Sequence, residues 1–290
     1  SSWTDVWFDY PDAALSKDNL YVTFNIFNNA GQWQRAVAMR FPLDDLASGG
    51  GLGFGWWGTS QNGALRLTQQ GTPSGDMYFA SHNGTSQLRL FHWPDGGSSI
   101  GIWNIGVNTW SRSIASTAPN GVNWLARCDS RITAGSLGDG EITLMWTAGA
   151  SGNRPNAYCK VVRIRESDKA VINQPDIWSN SVAWAYPACC YNNNGDLGFA
   201  AFYGGGSHNP SHVVGCYDSG GNSWPNRTSR TGSHAPNAGR WGDYINVRAD
   251  VPDGDKWVAS GFTEEGEILL KWARRILAEN DAMLQEMTNA

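Results

Sequence analysis

Asp196-Leu-Gly-Phe-Ala-Ala-Phe202 is a polar turn residue leading into a short apolar run, and this pattern occurs five times in the sequence. The other copies are Asn19-Leu-Tyr-Val-Thr-Phe24, Asp76-Met-Tyr-Phe-Ala-Ser81, Glu141-Ile-Thr-Leu-Met-Trp146 and Asp255-Lys-Trp-Val-Ala-Ser260. Their anchors Asn19, Asp76, Glu141, Asp196 and Asp255 are 57, 65, 55 and 59 residues apart. A repeat of this length is one supersecondary unit that cannot bury its own faces and must pack on copies of itself. Five units of about 58 residues span nearly the whole chain. The reading is an all-β fold, a five-bladed β-propeller over residues 1–263, followed by a C-terminal α-helix over residues 264–290.

Composition agrees with this reading. The 290 residues include 35 Gly and 16 Trp, which suit many tight turns and sheet faces that must fill space between blades. No apolar run approaches the roughly 20 residues needed to span a bilayer. The formal charge of −5, with no basic stretch, argues against a nucleic-acid partner. No signal peptide stands at Ser1, so the chain is either mature or never exported, and the expectation taken forward is an exported one. The five cysteines, Cys128, Cys159, Cys189, Cys190 and Cys216, lack zinc-site spacing and read as one or two disulfides or buried thiols. Asn83-Gly-Thr85 and Asn226-Arg-Thr228 are glycosylation sequons.

Along the chain, residues 1–9 alternate and read as a strand that completes the last blade. Inner strands are expected over Asp9–Leu15, Ala64–Gln69, Trp124–Thr133, Ala185–Tyr191 and Arg240–Arg248. Gly49-Gly50-Gly51, 134–140 and 148–156 read as loops. From Glu264 the pattern turns helical, with Thr263 as N-cap and Leu269, Trp272, Ala273, Ile276, Met283 and Met287 recurring along one side. Such a stripe fits either the side of the propeller or another copy of the chain, so a homo-oligomer through residues 264–290 is one expectation.

The strings Phe8-Asp-Tyr-Pro-Asp12, Tyr186-Pro-Ala188, Arg240-Trp-Gly-Asp-Tyr244 and Trp257-Val-Ala-Ser-Gly-Phe-Thr263 resemble a group of secreted β-propeller proteins of largely unknown function with a sialidase-like architecture. The resemblance covers about residues 5–263. Asp218-Ser-Gly-Gly-Asn-Ser-Trp224 resembles the sialidase Asp-box, with Cys216 where Ser or Thr is usual. It implies a propeller and does not by itself imply an activity.

In a propeller the starts of the inner strands crowd one end of the axis. Candidates there are Asp9, Asp12, Arg66, Arg127, Asp129, Arg131, Arg240, Asp243 and Tyr244. Asp9 and Asp243, each before a tyrosine, are the pair that would serve a glycoside hydrolase, with Tyr244 beside them; the plain alternative is that Asp-Tyr sets blade register. Arg127, Arg131 and Arg240 would clamp a carboxylate-bearing ligand, or simply pair with Asp129 and Asp243. Trp56 and Trp57 are the most ligand-like tryptophans, because apolar sugar faces stack on aromatic rings, while Trp103, Trp110, Trp178 and Trp224 read as packing between blades. No metal site is expected. Asn192-Asn-Asn-Gly-Asp196 has oxygens suited to Ca²⁺ but reads better as a hairpin turn. The leading expectation is a secreted, non-enzymatic binder of glycan or polysaccharide. A sialidase-like glycoside hydrolase and a structural protein assembled through its C-terminus are the alternatives.

Overall fold

The computed structural model describes residues 4–237, 241 and 245–261. The first sheet is β1 (Val6–Leu15), β2 (Asn19–Asn28), β3 (Trp33–Pro42) and, after helix α1 (Leu43–Ser48), β4 (Gly55–Thr59). The second sheet starts at β5 (Arg66–Leu67), and β6 (Gln69–Gln70) then leaves it to pair in parallel with the third. Strands β7 (Asp76–His82), β8 (Gln87–Pro94) and β9 (Gly101–Gly106) complete the second sheet. The third sheet is β10 (Ile132–Gly138), β11 (Glu141–Ala148), β12 (Tyr158–Arg165) and β13 (Val171–Asn173). The fourth is β14 (Ala183–Tyr191), β15 (Leu197–Gly205), β16 (His208–Cys216) and β17 (Asn226–Arg230). The fifth holds β18 (Ile245–Ala249) and β19 (Trp257–Gly261).

The first strands of the sheets touch in chain order: β1 meets β5, β5 meets β10, β10 meets β14, and β14 meets β18. Five antiparallel meanders thus stand around one axis, the arrangement of a β-propeller. Every copy of the quoted repeat falls on the second strand of its sheet, β2, β7, β11, β15 and β19. The repeat is legible because the middle strands are pressed from both faces. From Ile142 to Ala148 and from Leu197 to Phe202 every residue is buried, so these strands read as apolar runs rather than alternations. Between the first two sheets the rings of Trp57, Phe79 and Phe91 pack together, with Phe79 and Phe91 stacked at 5.1 Å.

Several expectations are corrected. The fold is all-β, and its helix among the described residues is the six-residue α1, between β3 and β4, rather than one following the last sheet; the C-terminal α-helix read over residues 264–290 lies outside the described residues. Helix α1 ends at Gly49, whose φ of 65° is the left-handed stop that glycine favours. Residues 6–15 form one strand of the first sheet, not a separate strand closing the last blade. The sheets are unequal, and the fifth has two described strands. The third inner strand is Ile132–Gly138; Trp124 and Leu125, which read as strand, are apolar because a long loop buries them. No two of the five cysteines are joined in a disulfide, and of the two readings the buried thiol fits Cys159, Cys189 and Cys190. Burial holds the Cys159 and Cys189 thiols well above their usual pKa range and raises that of Cys190.

Candidate functional site

The chain enters each inner strand at the same end of the axis, and three of these entries have left-handed backbone at a residue other than glycine. Tyr10 has φ 54°, Ala64 φ 50° and Tyr186 φ 54°. Such backbone is costly and persists only where the surroundings impose it. At Tyr10-Pro11 and Tyr186-Pro187 the strand also bulges, since Asp9 pairs with Asn25 and Asp12 with Thr23, and Ala185 with Phe202 and Ala188 with Ala200. The two tyrosines serve differently. Tyr186 is core: its hydroxyl donates to Trp241 O (2.7 Å) and its N–H to Thr147 Oγ1 (2.9 Å). Tyr10 is half-buried, and the Arg131 guanidinium lies 3.9 Å over its ring. Burial raises the Tyr10 pKa and Arg66 and Arg131 oppose this, so the phenol is neutral at pH 7.

Two residues beyond Tyr10 and Ala64 come Asp12 and Arg66, which form an ion pair. Asp12, 8% exposed, takes the Leu67 N–H on Oδ2 (2.8 Å) and pairs through Oδ1 with Arg66 Nη1 (3.2 Å). The Arg66 Nε–H is buried without an acceptor among the described residues. Arg248, on β18, lies within electrostatic reach of both Asp12 and Arg66. Burial first, and the Arg66 charge second, lower its pKa; its Nη1 donates to Val247 O (2.9 Å) and to Asn246 Oδ1. Nearby, Asp129 Oδ2 meets Arg131 Nη2 (2.5 Å), and Asp129 Oδ1 accepts the Arg131 N–H (2.9 Å).

Beside this pair, His82 lies against Trp110 (4.7 Å) and Trp146 (4.9 Å) and donates from Nε2 to Ser130 O (2.7 Å). Burial pushes its pKa down to about 4, with the Arg112 charge lowering and Asp129 raising it. Because the folded value lies below the unfolded one, the native state binds fewer protons between about pH 4 and 6.5. Stability should be full above pH 6.5 and fall by up to about 3 kcal/mol as the pH drops to 4. Unfolding free energies measured across this range should show a shallower slope in His82→Gln; an unchanged slope would mean His82 is not the group responsible.

The other sequence candidates fall elsewhere. Asp9 is exposed on β1, and Arg127 is exposed on the turn closed by the Cys128 N–H to Leu125 O bond (3.0 Å). Trp56 and Trp57 sit on β4, the outermost strand of the first sheet, far from the axis in strand order. Trp57 packs between sheets, while Trp56 is 42% exposed on the opposite face. Arg240, Asp243 and Tyr244 lie outside the described residues. Sequence reasoning missed the Tyr10 ring and Arg248; the one signal for Arg248 is the alternation of Asn246 and Arg248 along β18. The Asp218–Trp224 segment is the hairpin between β16 and β17: Asp218 Oδ1 takes the Gly220 N–H (3.0 Å), and Trp224 packs edge-on to Phe199 (5.1 Å). In the Asn192–Asp196 turn, Asn192 Oδ1 accepts the N–H groups of Asn194 (3.0 Å) and Asp196 (2.8 Å), which makes it a self-capped turn.

No family model and no curated protein matches the sequence. Solved structures do resemble the fold. An α-L-arabinanase of Penicillium chrysogenum complexed with arabinobiose superposes with a TM-score of 0.51 at 10% identity, over 87% of this chain and 74% of that one. A protein of unknown function from Dyadobacter fermentans gives 0.49 at 11% identity, over 89% and 75%. The NanB sialidase of Streptococcus pneumoniae gives 0.41 at 11%, over 81% of this chain and 31% of the sialidase. At such identities the arabinanase likeness establishes a shared fold and nothing finer.

Proposed function

We propose that this chain binds a carboxylate-bearing glycan at the end of the axis where the inner strands begin, and holds it without cleaving it. One observation carries the reading: Arg66 is paired with the buried carboxylate of Asp12, Arg248 lies within electrostatic reach of both, and the Arg66 Nε–H has no acceptor among the described residues. Two guanidiniums and one carboxylate leave a surplus positive charge in a partly buried place, which an added anion relieves. Arg131, stacked over the Tyr10 ring, adds a further cation near Arg66 at the same end.

The non-catalytic half of the reading rests on the two carboxylates. Asp12 and Asp129 each hold one arginine and one backbone N–H, so neither is arranged as a free acid or base. The test is calorimetric titration with oligogalacturonate, sialyllactose and a neutral oligosaccharide, alongside assays for released sugar. The acidic sugars should bind, more weakly at high salt. Arg248→Met should weaken them about 10- to 100-fold, the size of a charge-assisted hydrogen bond. Preference for the neutral sugar would sink the anionic reading. Hydrolysis abolished by Asp12→Asn would make the protein an enzyme.

A further inference from the structure

A second site lies on the same end of the molecule, at the rim between the third and fourth sheets. The connection from β9 to β10, residues 107–131, is far longer than the turns elsewhere, and loops of this length in compact domains are commonly functional. It is firmly anchored. Trp110 and Trp124 are buried beneath it, the Gly149 N–H donates to Ser111 O (2.8 Å), and the Gly206 N–H donates to Thr117 O (3.0 Å). Its end carries Asp129 and Arg131 to the axis. Its middle, with the start of β14 and the β15–β16 hairpin, lines an open, cleft-like cavity of about 440 Å³.

We propose that this cavity binds an uncharged sugar unit. Its volume is within the range of small-molecule sites, which combine apolar wall with a few convergent polar groups. Hydroxyls come from Ser116 and Thr117, with Ser181 and the Asn156 amide beside them already bonded to Ser179 (3.4 and 3.3 Å), while Pro119 and Val182 supply apolar wall; no ionisable side chain lines it. The backbone of the loop is already used, with the Ser116 N–H on Asn123 Oδ1 (2.9 Å) and the Trp124 N–H on Ser116 O (3.1 Å), so the side-chain hydroxyls are what the wall offers. Neutral hydroxyl and amide groups match the hydroxyls of an uncharged sugar and give no compensation for burying a charge. The hairpin is built of glycine here for a reason. Gly205 has φ 101° and a Cβ there would lie 2.3 Å from Ser116 Oγ, which would close the cavity. The proposal extends the glycan reading of the axis and rests on it in part: one loop connects both sites, so a chain with acidic and neutral units would span them.

The experiment uses the full chain and arabinobiose, cellobiose and mannobiose in turn. Gly206→Asn is the blocking variant, because asparagine tolerates the φ of 60° and the nearest atom to its Cβ is Ser181 O at 3.7 Å. Its unfolding midpoint should match wild type. At least one disaccharide should bind wild type, shift the amide resonances of Gly205 and Gly206, and bind Gly206→Asn at least tenfold more weakly, while Arg248→Met leaves that affinity within twofold. The proposal is overturned if no disaccharide binds, or if binding persists in Gly206→Asn, and loss in Arg248→Met alone would place that binding at the axis. The readings separate: oligogalacturonate binding that survives Gly206→Asn leaves the axis site standing when the rim site fails. Disaccharide binding without oligogalacturonate binding does the reverse.

Discussion

Asp176→Asn should destabilise the protein by about 3–5 kcal/mol, the cost of leaving a buried cation without its partner. Lys160 and the Asp176 side chain are each 1% exposed, and Lys160 Nζ sits 3.2 Å from Asp176 Oδ1 and 3.0 Å from Gln174 Oε1. Arg154 Nη2 meets the other oxygen of Asp176 at 2.5 Å, and the Val161 N–H donates to Oδ1 (3.0 Å). One carboxylate therefore serves two cations and a backbone donor, and it ties β12 to the segment that leaves the third sheet. Burial lowers the Lys160 pKa and Asp176 opposes this, so losing the aspartate strands an ammonium in an apolar place. Urea unfolding followed by tryptophan fluorescence measures the effect. A loss below about 1 kcal/mol would show that the lysine finds solvent or another partner. The double variant Lys160→Met/Asp176→Asn should recover part of the stability, because it removes the stranded ammonium while the asparagine oxygen can still accept the Val161 N–H.

Gly149→Ala should be the most damaging change for binding that touches neither site. A Cβ at Gly149 would stand 2.0 Å from Ser113 O and 2.5 Å from Ser113 C, backbone atoms of the 107–131 loop. The Gly149 N–H also donates to Ser111 O in the same short bridge (2.8 Å), so the loop must move and the bond must break together. Overpacking of this kind costs about 1–3 kcal/mol, and a backbone clash belongs at the upper end of that range. The functional effect is larger, because the displaced loop carries Arg131 to the axis and Ser116 and Thr117 to the rim cavity. Oligogalacturonate and disaccharide binding should both fall at least tenfold. Gly75→Ala is the control: a Cβ there meets nothing within 4 Å, and both stability and binding should match wild type. Retained affinity in Gly149→Ala would mean that the loop does not form either site.

The repeat was legible because burial on both faces makes a second strand continuous in apolar residues, as in β11 and β15. Inner-strand boundaries were harder. Trp124 and Leu125 carry the same apolar signal as a strand, but they are covered by a loop folded over the sheet ends, and local pattern cannot tell one covering from the other. The cysteines could be counted but not paired, since free thiols and disulfides look alike until the packing is known.

For the proposed site, sequence alone offered Asp12, Arg66, Asp129 and Arg131 among its candidates, because inner strands of a propeller begin near one axis. It did not determine which of them meet. Asp12, Arg66 and Arg248 come from three strands of three sheets, and they converge only because the ring brings residues distant in sequence to a common centre. The same pairing of Tyr with Pro occurs in β1 and β14, yet Tyr186 fills the core while Tyr10 stands under Arg131 at the open axis. That difference is set by the neighbours each ring finds across the sheets, a non-local fact that tertiary packing alone decided.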